Sequence, residues 1–276
     1  MRRKFYLVNE VGSTFFFDYS HSCVIEELDG LGFEFDIDYE NFGSEYVETK
    51  RTTPQRTIDF TLIFFDGYAG FTRWREYVTK SKELRLFYQN TSGTKYCYIN
   101  IKSSSKAQLE SGILRSEVKI DCLSFWLVNK SYSLTVTDVG GGKVYTYEYP
   151  YTYSVSFNGR ITVVNDSPKS IPLRIRLIGN LYNPRVIIRQ GGKDITALRL
   201  LVDERENPTI EVNASPVNQY IKKISGVDEQ DYYNFQDFSY DNFLYLPPGT
   251  SEIFFDPGVR EEAKCEIFFK EEYIAH

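Results

Sequence analysis

Residues 171–202 read IPLRIRLIGNLYNPRVIIRQGGKDITALRLLV, and their pattern decides the fold class. Over Pro172–Gly179, Leu173, Ile175 and Leu177 alternate with Arg174 and Arg176. That period of two belongs to a strand with one face buried and the other wet. Pro184–Gln190, the Gly191-Gly192 turn and Asp194–Val202 then predict a hairpin. The same pattern extends outward in both directions. Upstream, Ser154–Phe157 and Arg160–Asn165 flank Asn158-Gly159, a strong short-range hairpin signal. Downstream, Thr209–Val212, Tyr220–Ile224, Phe243–Leu246, Glu252–Phe255 and Lys264–Ile274 read as further strands. Short strands at regular spacing, with turn signals between them, predict a β-sandwich.

The N-terminal half is also strand-rich but contains a helix. Lys4–Asn9 and Thr14–Tyr19 are expected to pair through Glu10–Ser13, and Arg56–Phe65 (RTIDFTLIFF) reads as a largely buried strand turning at Asp66-Gly67. Phe71, Trp74 and Val78 recur at helical spacing and predict the one convincing helix. Leu84–Tyr88 and Lys95–Lys102 follow around the turn Asn90–Gly93, and Ile113–Val128 reads as one long strand bent at a bulge. A chain of 276 residues exceeds the usual single domain. Gly140-Gly141-Gly142 marks the join, because no strand interior tolerates a glycine triplet well. The expected division is 1–130, a connector 131–153, and a sandwich 154–276. The class is mainly β, with an α+β N-terminal domain. The bias to 22 Tyr and 21 Phe against one Met suits pleated, half-buried surfaces.

Charge and composition exclude several functions. Net charge is −6, from 17 Lys and Arg against 18 Asp and Glu in residues 1–130, and 15 against 20 in 131–276. Neither half is basic, so nucleic-acid recognition has no electrostatic footprint. No cationic start precedes a short apolar run, and no stretch is apolar enough to insert in a membrane, so synthesis in the cytosol is expected. Cys23, Cys97, Cys122 and Cys265 are widely spaced and read as free thiols.

Catalytic motifs are missing. The histidines are His21 and His276, and His21 in Ser-His-Ser-Cys stands beside Cys23, a weak nucleophile–base hint. Asp36, Asp38 and Glu40 start like a calcium loop, but the sixth position is Asn41 and the twelfth Val47, so the EF-hand reading fails. A solvated acidic loop or another calcium site remains. Gly142-Lys143-Val144 lacks the Ser or Thr of a phosphate loop. No cofactor, catalytic or metal residue is assigned, and the expectation is that the chain is not an enzyme. Residues 26–48 hold nine acids and no Lys or Arg, and are expected to be loop or exposed edge; Lys50, Arg51 and Arg56 follow directly. Such contrast within one domain suits head-to-tail contacts in a ring, or an ordinary solvated face. Residues 226–243 (GVDEQDYYNFQDFSYDNF) mix six aromatics with acids. They read either as a strand pair with aromatics inward or as a loop that docks a partner.

Several segments, taken in order, carry a family resemblance. Ser156-Phe157-Asn158-Gly159, IPLRIRLIGNLYNPRVIIRQ (171–190), TIEVNASP (209–216) and DNFLYLPPGTSEIFF (241–255) together resemble the C-terminal domain of phage distal tail proteins. That domain is a β-sandwich similar to galectins and carbohydrate-binding modules. Arg56–Phe65, the helix near Trp74 and the strand ending Phe125-Trp126 resemble the family's ring-forming domain. The resemblance implies a structural component of a bacteriophage or prophage tail tip or baseplate, present in the virion and assembled in the host cytoplasm. It implies a homo-hexameric ring joining the tail tube protein to the tail-associated protein, with receptor-binding proteins anchored outside. Glu34, Asp36, Asp38, Lys50, Arg51 and Arg56 are then candidate ring contacts, and Tyr232, Tyr233 and Phe235 candidate partner-docking residues. The rival reading is a carbohydrate-binding module or adhesin. Cell-wall carbohydrate is the disfavoured partner, because Trp74 and Trp126 both lie in the N-terminal half and His276 is the only C-terminal histidine.

Overall fold

The computed structural model describes residues 3–136, 159–259 and 262–275. The chain divides into two compact units, residues 1–128 with 272–276 and residues 129–271. The glycine triplet 140–142, the strand expected over 154–157 and Asn158 of the Asn-Gly turn lie outside the described residues.

The first unit contains β1 (Lys4–Asn9), β2 (Thr14–Phe16), β3 (Cys23–Asp29), β4 (Asp36–Phe42), β5 (Glu45–Thr52), β6 (Thr57–Phe64), α1 (Tyr68–Lys80), β7 (Leu84–Asn90), β8 (Gly93–Ser104) and β9 (Leu114–Cys122), and β10 (Trp126–Val136) starts in it. An antiparallel sheet runs in the order β3-β6-β9-β8-β7-β1-β2. β6 lies inside that order, paired on both sides, and its Ile58, Phe60, Leu62 and Phe64 are buried, as their apolar run demands. The helix begins at Gly67, whose φ of +62° is a conformation that glycine adopts without steric cost. Trp74 is the helix's anchor. It is buried against Phe15 and Phe17, and its indole N–H donates to Ser104 Oγ at 3.0 Å.

Two expectations need correction here. The single long strand over 113–128 is two strands, β9 and β10, broken at 123–125. At the break Ser124 Oγ accepts the Tyr98 N–H at 3.0 Å, a bond that a continuing ladder would give to a carbonyl. The acidic stretch is not loop after β3. Asp36–Phe42 pairs with Glu45–Thr52 as a two-stranded ribbon.

The second unit holds β11 (Gly159–Asn165), β12 (Ile171–Pro172), β13 (Arg174–Gly179), β14 (Leu181–Tyr182), β15 (Arg185–Gln190), β16 (Lys193–Arg199), β17 (Asp203–Glu204), β18 (Thr209–Asn213), β19 (Tyr220–Ser225), β20 (Asp228–Asp231), β21 (Tyr245–Leu246), β22 (Gly249–Asp256) and most of β23 (Ala263–Tyr273). One sheet has the order β23-β13-β18-β19-β20 and the other β11-β22-β15-β16. Ile175, Leu177, Ile210, Val212 and Ile267 from the first meet Val163, Val186, Ile188, Ile253 and Phe255 from the second in one buried cluster. This is the sandwich core. The alternation read over 172–179 holds: Ile175 and Leu177 are buried, and Arg174 and Arg176 face outward, half-buried. Gly191 and Gly192, at φ +58° and +79°, make the expected turn between β15 and β16.

Candidate assembly surfaces

The ribbon β4–β5 is the most exposed element of the first unit. Its register places Ile37 opposite Arg51 and Asp38 opposite Lys50, then shifts between Asp38 and Tyr39. Every residue of β5 is exposed. So are Tyr39, Phe42 and Tyr46, the last at 72%. The turn Phe42–Glu45 uses Gly43 at φ +72°. Arg51 pairs with Glu48 at 2.6 Å and lies 5.0 Å above the Phe35 ring. Because this guanidinium sits beside it, Glu48 is held below the usual carboxylate range. Glu34, Asp36, Asp38, Lys50 and Arg51 are thus gathered on or beside one ribbon, all exposed.

Arg56 is placed elsewhere. Its guanidinium lies 4.8 Å from the Trp126 ring, donates through Nη1 to the Ile274 carbonyl at 3.2 Å, and reaches Cys122 Sγ through Nε at 3.5 Å. Spacing along the chain could not separate it from Lys50 and Arg51. Asp36 and Asp38 stand on the exposed ribbon, and no cluster suited to a metal ion occurs among the described residues. His21 is exposed in a one-turn helix, with Nδ1 2.6 Å from Asp18 Oδ1. Burial pushes the neighbouring Cys23 thiol up to about 12, the opposite of what a nucleophile needs.

In the second unit the 226–243 tract divides between inside and outside. Tyr232 is buried at 5% exposure, packs in the sandwich core, and its hydroxyl donates to Glu204, which also pairs with Lys223 at 2.7 Å. Tyr233, Phe235 and Phe238 are exposed, the last at 74%, and Leu201 beside them is exposed as well. Leu201 N–H donates to the Phe235 carbonyl, which fixes this short 3-10 turn onto the sandwich. Asp231, Asp237 and Asp241 border the patch, and Arg199 holds Asp237 at 3.4 Å. A shallow cleft of about 380 Å³, lined by Tyr220, Lys222, Glu229, Asp231 and Tyr233, adjoins it.

A charged network that the sequence reading did not single out lies on the outer face of β13, β18 and β19. Glu211 is nearly inaccessible. It accepts from Arg176 Nη2 at 2.8 Å and from the Tyr220 hydroxyl, with Arg174 at 3.8 Å. Phe268 lies under both arginines, 4.6 Å from Arg174 and 5.7 Å from Arg176. Burial alone would raise the Glu211 carboxyl, but the Tyr220 and Arg176 hydrogen bonds and the two positive charges outweigh it and hold it below the usual range. A carboxylate fixed in its charged form by three partners is suited to holding strands in register, not to moving protons.

Comparison with known proteins agrees with this geometry. Residues 4–123 match the family model described as "Distal tail protein, N-terminal domain". No curated protein matches the sequence. The chain is similar to a subunit of the phage P2 baseplate in its activated conformation, with a TM-score of 0.66 and 14% identity, covering 100% of both chains. It is also similar to the SPP1 Dit protein, described as a paradigm of hub adsorption apparatus in phages infecting Gram-positive hosts, with a TM-score of 0.63 and 12% identity over 96% of this chain and 98% of that one.

Proposed function

We propose that this member of the distal tail protein family, whose residues 4–123 are that family's N-terminal domain, works as a structural ring subunit of a phage or prophage tail tip or baseplate. The match over 4–123 carries the reading, and the shared fold with a baseplate subunit and a hub protein over nearly the full chain supports it. In this proposal six copies close a ring. The ring joins the tail tube to the tail-associated protein, and the chain performs no reaction itself.

The ribbon β4–β5 is the proposed contact between ring neighbours. A two-stranded ribbon is at best marginally stable by itself, and its exposed Tyr39, Phe42 and Tyr46 would gain burial against a neighbour. Glu34, Asp36, Asp38, Lys50 and Arg51 supply both signs of charge, which suits a heterologous contact that closes with rotation. Arg56 serves the packing of its own unit. Tyr233 and Phe235, with Phe238, are the proposed docking residues of the second unit, and Tyr232 fixes their turn from inside. Acids around these rings favour a partner with a basic, apolar segment, such as a receptor-binding protein.

Electron microscopy of assembled tails tests the ring. The expected result is a six-membered ring at the tip that labels with antibody to this chain, with a mass of about 190 kDa for six copies of 32.2 kDa. Tails whose tips carry this chain in any other number of copies would overturn the ring.

A further inference from the structure

Cys97 and Cys122 meet in the first unit. Ile99 is the register partner of Cys122 across β8 and β9, so Cys97, two residues along β8, is its diagonal neighbour on the same core face. The two thiols are hydrogen-bonded to each other, and Arg56 Nε points at Cys122 Sγ from 3.5 Å. The backbone holds the arrangement: Cys122 N–H donates to the Arg56 carbonyl at 2.9 Å, and Gln55 Nε2 donates to the Cys122 carbonyl at 3.1 Å.

The four cysteines share burial but not chemistry. Cys23 and Cys265 are pushed up by burial. Cys122 moves the other way, to about 6, because the Cys97 thiol donates to it and the Arg56 guanidinium faces it, against the effect of burial. Cys97 rises correspondingly, as the member that keeps the proton. One thiolate beside one thiol, with a fixed cation, is the arrangement that favours exchange with a disulfide.

We propose that Cys97 and Cys122 form a redox-active dithiol that closes to an intramolecular disulfide when the protein meets a low-molecular-weight disulfide. The Cys122 thiolate attacks one sulfur of that oxidant and releases its other half as a thiolate. Cys97, losing its proton, then attacks the Cys122 sulfur of the mixed disulfide and releases the second half. The oxidant gains two electrons and the two cysteine protons, ending as two thiols. Closure brings the sulfurs from hydrogen-bonding contact to about 2.05 Å, and β9 ends at Cys122, so the chain beyond can adjust. The bond would tie β8 to β9 in a particle that leaves a reducing cell for an oxidising exterior. That context rests on the proposed function, but the chemistry belongs to the isolated chain.

The purified full chain is incubated with oxidised glutathione at pH 7, quenched with acid, alkylated in denaturant and mapped by mass spectrometry without reduction. The expected result is loss of two of the four thiols, one peptide pair joining Cys97 to Cys122, and a product two hydrogens lighter. The rate should fall severalfold at pH 5, as the Cys122 thiolate takes up its proton. Cys97→Ser or Cys122→Ser should abolish the linkage, and Cys265→Ser should leave it unchanged. Four free thiols after treatment, a lasting mixed disulfide with glutathione, or a linkage through Cys23 or Cys265 would each overturn the proposal.

Discussion

Glu211 remains charged although almost no water reaches it, and its partners explain why. Its carboxyl lies below the usual range in the folded unit, so folding holds the ionised form more tightly than the unfolded chain does. That contribution is complete above the unfolded carboxylate value of about 4.3 and is lost as pH falls through the lower folded value. The second unit should therefore lose thermal stability on acidification in this window. Glu211→Gln should cost about 3 kcal/mol at pH 7, because Arg176 and Arg174 lose their counter-charge, and should flatten the acid limb. Scanning calorimetry of both chains from pH 7 to pH 3 measures this, and parallel pH slopes would refute it. The outward direction of Arg174 and Arg176 was legible in the alternation of 172–179. Their convergence on Glu211 was not, because it depends on the register Arg176↔Glu211 between strands far apart in sequence. Arg56 shows the same limit. Its sequence neighbours include Lys50 and Arg51, yet its spatial neighbours are Trp126, Cys122 and Ile274.

At the scale of elements, the apolar strands and the helix were legible because burial imposes their periods. Leu173, Ile175 and Leu177 repeat every two residues, while Phe71, Trp74 and Val78 return every three or four. The ribbon and the break at 123–125 obey weaker signals. Asp, Glu and Asn are poor strand formers, so their density in 36–45 disguised a hairpin that Tyr39, Phe42, Gly43 and Tyr46 specify. Since β5 is exposed along its whole length, it adds little to the stability of its own unit. Replacing residues 36–52 with a short Gly-Ser linker should leave the melting midpoint within about 2 °C of the parent, because little apolar surface is lost from the core. The same change should abolish ring assembly, read by mass photometry of the purified chain or by microscopy of tails carrying the variant. Lys50→Glu with Arg51→Glu should weaken assembly and make it more sensitive to salt. A deletion variant that assembles normally removes the ribbon from the ring contact. A parent chain that forms no ring in a tail removes the ring itself.

Across the whole molecule, the two-part organisation follows the change from mixed to all-strand patterning, but one crossing of the chain has no sequence signal. Residues 272–276 return to the first unit, although the strand that carries them, β23, lies mostly in the second. Tyr273 packs on the first unit's core with the Lys95 ammonium 3.9 Å from its ring, and the Ile274 carbonyl takes the Arg56 Nη1 hydrogen bond. Periodicity reads straight through 264–274 as one strand, since alternation reports which face is buried and not which core buries it. Ending the chain at Glu271 should therefore act on the distant N-terminal sequence. Loss of a half-buried aromatic and of one charged hydrogen bond should destabilise the first unit by about 2 kcal/mol. Native-state amide exchange resolves the effect by element. Protection in β6 and β9 should fall by about thirtyfold, the factor that corresponds to 2 kcal/mol, while β13 and β18 keep theirs. Equal losses in all four strands would mean that the last residues stabilise the chain as one cooperative body, and unchanged protection in β6 and β9 would mean that Arg56 finds another acceptor at no cost.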